Sequence, residues 1–186
     1  MDRLEWVRQT RLLAQERYDT LHAPTYDEKW GAITPTHEQF LGRFLQLCPP
    51  RGCLLDAACG TGKYWPLILA GGRTVLGTDQ SRGMLACAQA KFPHVPVAKV
   101  GLQELDFREA FDGAICVDAL EMVFPEDWQL VLHNLHRAIR HQCYAYFTVE
   151  LAAEAEVESA FAAGRALGLP VVVGEWAHEG GYHYYP

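Results

Sequence analysis

The sequence predicts an α/β domain whose doubly wound, mostly parallel sheet carries helices on both faces. Short runs rich in β-branched and aromatic residues alternate with segments of helical periodicity, which is typical of βαβ units with right-handed crossovers. A turn of small residues, 57–62, follows the first apolar run, and an acid, Asp79, ends the second. The chain of 186 residues is 49% hydrophobic and 21% charged, which suits one domain with a sizeable apolar core.

The N-terminal region is predicted to be helical before the sheet begins. Apolar residues recur at loosely helical spacing in residues 2–20, and Pro24 closes that segment. Residues 35–47 form a further predicted helix, because Pro35 suits a first helical position and an apolar stripe follows it.

From residue 53 onward, strand-like and helix-like segments alternate. Strands are predicted where short runs are apolar, β-branched or aromatic, at 53–58, 74–78, 97–100, 113–117 and 143–149. Helices are predicted between and after them, at 63–70, 82–92, 126–139 and 151–167. The last helix ends at Gly168 and Pro170, which are both helix-terminating residues.

Composition argues against several classes of partner. Sixteen Lys and Arg residues against 23 Asp and Glu residues give a net charge of −7, so no nucleic-acid partner is expected. No uncharged apolar run approaches the roughly 20 residues of a membrane span, and residues 1–20 are charged throughout. We therefore expect no membrane partner and no signal peptide.

The cysteine pattern bears on metal binding and on the redox compartment. The 6 cysteines are scattered, with no C-x-x-C pair and no histidine at zinc-ligand spacing, so no metal site is predicted. Scattered thiols in a domain with a full apolar core indicate reduced, mostly buried side chains. We expect a cytoplasmic protein.

The stretch around the turn at 57–62 is the most informative for function. Small residues let a ligand approach the backbone, and the N–H groups of a helix that starts after the turn point at whatever lies there. Asp79 ends the next strand, where α/β folds place a carboxylate on a ribose diol. This strand–turn–helix–strand–acid series predicts a ligand that contains a nucleoside.

The same residues favour one kind of nucleoside. The dinucleotide fingerprint needs a third glycine where this chain has Trp65, and no P-loop motif is present. Asp56 adds a carboxylate at the strand end, which suits a cationic amine better than a pyrophosphate. An α-amino acid joined to adenosine, such as S-adenosylmethionine, meets these demands.

Four stretches together resemble a known family. LLDAACGTGKY (54–64), followed by VLGTDQSRGML (75–85), resembles the class I S-adenosylmethionine-dependent methyltransferases. AFDGAICVDALEMV (110–123) and then YFTVE (146–150) extend the resemblance across roughly residues 50–150. The resemblance implies a Rossmann-like fold, S-adenosylmethionine as cofactor with S-adenosylhomocysteine as product, and methyl transfer to an O, N or C nucleophile of a small molecule.

The resemblance also implies roles for individual residues. Asp56 and the backbone of residues 57–62 would hold the methionine end of the cofactor, and Asp79 the ribose hydroxyls. Separately, Glu121 follows the fourth strand, where this fold opens toward the substrate, so it is a candidate acceptor-binding carboxylate or base. The cofactor-binding candidates are Asp56, Ala57, Ala58, Cys59, Gly60, Gly62, Asp79, Gln80, Met84, Leu102, Gln103, Asp118, Tyr26 and Trp30. Leu102 and Gln103 stand where the family often has an acid for the adenine amine, and Arg140-His141-Gln142 replaces its usual Pro-Gly-Gly.

Plainer interpretations of these residues stay open at this stage. Asp56 either contacts the cofactor or caps its turn, and Asp79 either binds ribose or caps the following helix. Glu121 is either functional or solvated, while Tyr26 and Trp30 either cover the cofactor or simply pack. The alternative functions are a non-catalytic or truncated S-adenosylmethionine-binding relative and, with less support, a nucleotide-dependent oxidoreductase.

The whole chain, 1–186, is expected to form one domain in three parts. Residues 1–48 are a helical lid, 49–150 the cofactor-binding core, and 151–186 a partial C-terminal region toward the acceptor. We expect the antiparallel strand pair that usually completes the family's sheet to be missing, as in a truncated form of a longer enzyme.

Two expectations concern what the missing strands would leave behind. The edge of strand 143–149 would then be open to a second copy in a homodimer, with residues 170–177 covering part of it. The tail at 180–186 either lines an acceptor pocket or is an unanchored terminus.

Overall fold

Five parallel strands form the central sheet of the protein. The computed structural model describes residues 1–178 and 181–184. The strands are β1 (Cys53–Ala57), β2 (Thr74–Asp79), β3 (Val97–Lys99), β4 (Phe111–Cys116) and β5 (Ile139–Phe147). Their order across the sheet is β3-β2-β1-β4-β5, so the chain winds outward from β1 first in one direction and then in the other. The predicted doubly wound α/β fold is confirmed.

Four helices, α3 to α6, cover the two faces of this sheet. The helices of the described residues are α1 (Arg3–Arg17), α2 (Tyr26–Trp30), α3 (Pro35–Leu47), α4 (Trp65–Ala70), α5 (Arg82–Lys91), α6 (Trp128–Ala138) and α7 (Glu154–Ala166). One apolar core joins α3, α4 and α5 to the sheet through residues such as Phe44, Trp65 and Leu85. A second core joins α6 to the opposite face through Val131 and Leu135. Within the described part of the chain, no helix has the length and apolar character needed to span a bilayer.

The strand and helix boundaries agree with the sequence prediction to within about three residues, except at the start of β5. The α3 helix has its predicted bounds, whereas β5 begins at residue 139 rather than 143. Its first residue, Ile139, pairs with Phe111, and the register shifts before Tyr144 pairs with Gly113. Gln142 has a φ of +63° within this irregular stretch. The polar residues at 140–142 lie in this irregular stretch, and their sequence is typical of a loop rather than of a strand.

The C-terminal residues form a hairpin that the sequence did not predict. Strands β6 (Glu175–His178) and β7 (Gly181–Tyr184) pair with each other in antiparallel orientation and do not extend the central sheet. The backbone of β7 lies against the 3-10 turn at Leu120–Met122. The side chains of the tail at 180–186, including His183, lie outside the described residues.

The segment expected to cover the β5 edge lies elsewhere. Val171 packs with Trp6 of α1 and with Phe124, and Glu175 is 1% exposed. The Glu175 carboxylate accepts a hydrogen bond from Trp6 Nε1 at 2.7 Å and forms an ion pair with Arg3. This buried acid fixes residues 170–176 to α1, so the prediction that they cover β5 is wrong. Among the residues described, the outer edge of β5 has no strand partner.

An N-terminal segment between α1 and α3 is fixed to the ends of the central strands. It comprises a π-helical turn (Tyr18–His22), a 3-10 turn (Ala23–Thr25) and α2. The Asp19 carboxylate accepts hydrogen bonds from Ser81 Oγ at 2.6 Å and from the Gly83 N–H at 2.9 Å, at the start of α5. The segment 18–30 therefore lies close to the acid that ends β2.

A second acid attaches the same segment to the turn after β1. The Asp27 carboxylate accepts a hydrogen bond from Thr61 Oγ1 at 2.5 Å. It also forms a 2.7 Å ion pair with Lys91. Residues 18–30 thus bridge the turn and α5, and we call this segment the lid.

The turn that leaves β1 has a left-handed backbone at several positions. Gly60 and Gly62 have φ angles of +55° and +76°, and Ala58 has a φ of +60°. Two backbone bonds hold the turn, from the Cys59 N–H to the Thr78 carbonyl and from the Gly62 N–H to the Cys59 carbonyl. A non-glycine residue in this region of φ and ψ costs roughly 1–2 kcal/mol, so Ala58 is strained.

We expect Ala58→Gly to stabilise the protein, because glycine adopts this conformation without strain. Glycine also loses more entropy on folding, about 0.5–1 kcal/mol, so the net gain should be up to about 1 kcal/mol in the free energy of unfolding by urea. The matched control is Ala57→Gly, at a fully buried position in β1, which should lose about 1 kcal/mol. Destabilisation by both substitutions would show that Ala58 is not strained.

Candidate functional site

The candidate site lies at the carboxyl ends of the central strands. Because β1 lies between β2 and β4, Asp79 at the end of β2 and Asp118 after β4 flank the turn that follows β1. Ligands of open α/β sheets bind in the crevice at this point, where the strand order reverses. Two acids, a tight turn and the lid therefore meet at one place.

Asp79 is buried and is bonded to two backbone N–H groups. Its Oδ2 accepts from Gly60 at 2.9 Å and its Oδ1 from Ser81 at 2.8 Å, while the residue is 9% exposed. Burial raises the pKa of this carboxyl, opposed by the N–H groups of Ser81 and Gly60. Each oxygen keeps a further lone pair, so the carboxylate fits a ribose diol. The residue that caps α5 is Ser81, whose side chain accepts from the Met84 N–H, so the alternative that Asp79 is this cap is wrong.

Asp56 lies beneath the turn rather than at its surface. It is 2% exposed, and its Oδ2 accepts a 2.8 Å hydrogen bond from the indole Nε1 of Trp65. Burial raises the pKa of the Asp56 carboxyl to about 7, opposed by the Trp65 hydrogen bond. Asp56 therefore supports the turn through Trp65, which differs from the direct contact expected with a cofactor amine.

The same indole accounts for Gly62. A Cβ atom on Gly62 would lie 2.7 Å from the Trp65 ring, and one on Gly77 of β2 would lie 2.5 Å from it. Trp65 therefore requires a glycine at position 62, and contact of the Gly62 backbone with a cofactor stays a prediction. A Cβ atom on Gly60 would instead lie 3.2 Å from the methyl group of Met84.

The other turn residues present little side chain to a ligand. Ala57 is fully buried, and Cys59 is 6% exposed. Burial raises the pKa of the Cys59 thiol well above its ordinary value, so this thiol is not a ready nucleophile. Residues 57–60 therefore have mainly backbone groups with which to hold a cofactor.

The residues predicted for the adenine side lie in two places, around the start of α5 and in the 3-10 turn at Leu102–Glu104. Met84 is 2% exposed beside Gly60, and Gln80 is partly buried next to Asp79. Leu102 is 7% exposed, and its carbonyl accepts a hydrogen bond from the Asn134 side chain of α6. The Gln103 amide donates to Asp127 at 3.2 Å, so it is already engaged with the segment before α6.

Two lid tyrosines face the acids of the cleft. Burial, with the charges of Glu121 and Asp79, raises the pKa of Tyr18 to about 12. Burial is also the main cause of a raised pKa at Tyr26, and the charges of Tyr18, Asp118 and Asp79 raise it further. The Tyr26 ring packs against Trp30 at 5.2 Å, and Trp30 itself is 45% exposed. Tyr26 thus lies near both acids, while Trp30 supports it from the solvent side.

A cavity of about 600 Å³ opens beside Asp118. Its lining combines carboxylates, hydroxyls, one imidazole and apolar side chains: Thr36, His37, Phe40, Asp118, Glu121, Tyr146, Thr148, Val149 and Glu150. Asp118 has a φ of +53°, and its N–H donates to Thr148 Oγ1 at 2.8 Å. The Tyr64 hydroxyl donates to Asp118 at 3.3 Å and lies 2.6 Å from His37 Nδ1.

Sequence reasoning missed His37 and Tyr64. His37 lies in the first turn of α3, 27 positions before Tyr64, and no spacing pattern joins them. Tyr64 directly follows the turn after β1, and this adjacency is the signal that could have marked it. Glu121 and Asp118, which were predicted, line the same cavity.

The burial of Asp56 predicts a pH dependence of stability. A pKa raised from 3.8 to about 7 in the folded state means that the folded protein holds this proton more tightly than the unfolded chain. The resulting stabilisation is complete below pH 4 and is lost as the pH rises through 7. Relative to Asp56→Asn, the wild type should lose on the order of 4 kcal/mol between pH 4 and pH 8.

The measurement is urea unfolding of both proteins across that pH range. Asparagine keeps a carbonyl oxygen that can accept the Trp65 N–H, so the hydrogen bond is retained. Asp106→Asn is the control, since the Asp106 side chain is 80% exposed. Parallel stability curves for the wild type and Asp56→Asn would contradict the burial effect.

Comparison with known proteins identifies the domain. Residues 54–142 match a family described as a methyltransferase domain. The dTDP-4-amino-2,3,4,6-tetradeoxy-D-glucose N,N-dimethyltransferase of Saccharopolyspora spinosa is 30% identical over 126 residues, which cover 64% of this chain and 51% of that protein. The chain thus spans about half the length of this curated relative.

Solved structures show the same fold. The 1,6-didemethyltoxoflavin-N1-methyltransferase of Burkholderia thailandensis, with bound 1,6-didemethyltoxoflavin and S-adenosylhomocysteine, gives a TM-score of 0.65 at 19% identity, covering 80% of this chain and 66% of that one. The magnesium protoporphyrin IX methyltransferase of Synechocystis PCC 6803, with bound S-adenosylhomocysteine, gives 0.65 at 17% identity, covering 95% and 83%. Residues 54–142 thus match a methyltransferase domain, and the chain has the Rossmann-like fold of these S-adenosylhomocysteine-bound methyltransferases.

Proposed function

We propose that this chain transfers a methyl group from S-adenosylmethionine to an oxygen, nitrogen or carbon nucleophile of a small molecule. The observation that carries the proposal is the Asp79 carboxylate, which is bonded to the turn after β1 and retains lone pairs for a ribose diol. The acceptors named for the Saccharopolyspora and Burkholderia proteins are small molecules, which supports the same class here.

The arrangement of the site supports a definite orientation of the cofactor. We place the ribose on Asp79, the adenine between Met84 and Leu102, and the methionine end over the backbone of residues 57–60. The donor methyl group then lies toward β4, where Asp118 and Glu121 line the cavity. When bound, the cofactor supplies a methyl group on a sulfonium sulfur.

The residues of this chain contribute mainly by positioning the reactants and excluding water. Methyl transfer needs an in-line approach and a dry site more than it needs acid–base chemistry. The lid supports this role, because Asp19 and Asp27 attach it to α5 and to the turn. Tyr18 and Tyr26 then cover the cleft between Asp79 and Asp118. Glu121 is a candidate base for an acceptor that must lose a proton.

Three consecutive parts of the chain are assigned separate functions. We propose that residues 1–48, which contain the lid, form a helical region over the cofactor, that 49–150 form the cofactor-binding core and that 151–186 form the side of the acceptor. The 6 cysteines are all free thiols, which supports a reducing compartment such as the cytoplasm. Pairing of two copies along the open edge of β5 stays a prediction.

The ribose assignment predicts that Asp79→Asn weakens binding of S-adenosylhomocysteine about tenfold or more by calorimetry. A charged acceptor gives each hydroxyl a stronger hydrogen bond than a neutral amide does, by roughly 1–2 kcal/mol. Circular dichroism and urea unfolding check that the variant is folded at the titration temperature, because Asp79 also binds Gly60 and Ser81.

Asp106→Asn, which removes an exposed carboxylate of the same type, should leave the affinity unchanged. Wild-type affinity in a folded Asp79→Asn protein would remove the ribose assignment.

A further inference from the structure

Acidic side chains outnumber basic ones in the described lining of the cavity beside Asp118. Its lining includes the carboxylates of Asp118, Glu121 and Glu150, and among the described lining residues there is no lysine or arginine. A carboxylate or phosphate acceptor would be repelled here, whereas a cation would be attracted. We propose that the acceptor is a small amine that enters this cavity as a cation on Asp118, and that His37 takes up its proton. This inference rests on the methyltransferase function proposed above.

Asp118 is built to hold such a ligand in one orientation. Its backbone is in the left-handed region, and the neighbouring Thr148 hydroxyl holds both its N–H and its side chain, at 2.8 Å and 3.3 Å. The Tyr64 hydroxyl donates to the other carboxylate oxygen. The Asp118 side chain is still 44% exposed, so part of it faces the cavity. A fixed carboxylate that is open on one side binds an ammonium group by a charge-assisted hydrogen bond.

The position of Asp118 also suits the reaction. It follows β4, on the opposite side of the β1 turn from the Asp79 that is assigned to ribose. An amine on Asp118 is therefore placed away from the ribose and on the side to which the methyl group is assigned. The apolar side chains of Phe40, Tyr146 and Val149 line the same cavity and can pack against the body of the amine.

An ammonium group must lose one proton before its nitrogen can attack. His37 lines the cavity with its Nε2 atom 3.6 Å from Asp118 Oδ1. Its Nδ1 atom lies 2.6 Å from the hydroxyl of Tyr64, which is 6% exposed. Burial beside Asp118 raises the pKa of Tyr64, so the phenol keeps its proton and positions both neighbours. His37 is thus the base within reach of a cation held on Asp118.

The atoms and charges of the proposed step balance. The ammonium proton passes to neutral His37, which leaves a lone pair on the amine nitrogen. That lone pair forms the new N–C bond with the donor methyl group as the S–C bond breaks, and its electron pair stays on sulfur. The products are a methylated ammonium ion and neutral S-adenosylhomocysteine, and His37 then returns its proton to solvent.

The test is methyl transfer to a panel of small primary and secondary amines, each paired with the alcohol and the carboxylate of the same carbon skeleton. Transfer of a radiolabelled methyl group from S-adenosylmethionine is measured, and products are identified by mass spectrometry. We expect transfer to one or more amines and none to the paired alcohols or acids.

Variants separate the roles of the two residues. With the best amine, Asp118→Asn should raise KM about tenfold or more, because it removes the charge that binds the cation. His37→Gln should lower kcat about 100-fold with little change in KM, because the amide cannot take up the proton. The control is Glu38→Gln, an exposed neighbour of His37 that should change neither constant.

The outcomes distinguish this inference from the function on which it rests. Calorimetry with S-adenosylhomocysteine is run on every variant. Failure of the wild type to bind it would contradict the proposed function itself. Cofactor binding combined with transfer to alcohols or acids, or with no transfer to any amine, would overturn the amine proposal alone. If Asp118→Asn and His37→Gln changed kcat and KM by the same factors, the separate roles of the two residues would be overturned.

Discussion

The rest of the site depends on the buried carboxylate of Asp79. Its two oxygens accept N–H groups from Gly60, in the turn after β1, and from Ser81, which caps α5. Burying a charge is costly unless hydrogen bonds compensate it, and these two bonds supply part of that compensation. The lid attaches to the same region, because Asp19 binds the Ser81 hydroxyl. One acid therefore holds the turn, the start of α5 and, through Ser81, the lid in a fixed arrangement.

Trp65 lies beneath the turn and fixes its shape from that side. Its ring is fully buried against positions that must be glycine, Gly62 and Gly77, and its N–H satisfies Asp56. The residue that makes the chain a poor match for a dinucleotide fingerprint is thus the one that shapes this turn. The turn keeps a short, tight path, and its strain is concentrated at Ala58. A ligand that needs only a backbone cradle and one ribose acid fits this arrangement better than a pyrophosphate does.

The sequence predicts the sheet and the acids well because these depend on local patterns. Strand and helix periodicity predicts β1 to β4 and α3, and the position of Asp79 follows from its place at the end of a strand. Partners distant in sequence are not predictable in this way. Nothing near His37 indicates that α3 would bring it to Tyr64, and nothing near Glu175 indicates that Trp6 and Arg3 would bury it. The sequence pattern also does not show where a side chain points, so the contacts of Asp56 and Gly62 with Trp65 were not predicted.

The central claim is that the acid and the turn hold an adenosine joined to an amino acid. Calorimetric titration of the intact chain with S-adenosylhomocysteine, and separately with NAD, tests this most directly. We expect saturable binding of one S-adenosylhomocysteine per chain and no binding of NAD, because Trp65 occupies the place of the third glycine in a dinucleotide site. Binding of NAD without binding of S-adenosylhomocysteine would contradict it.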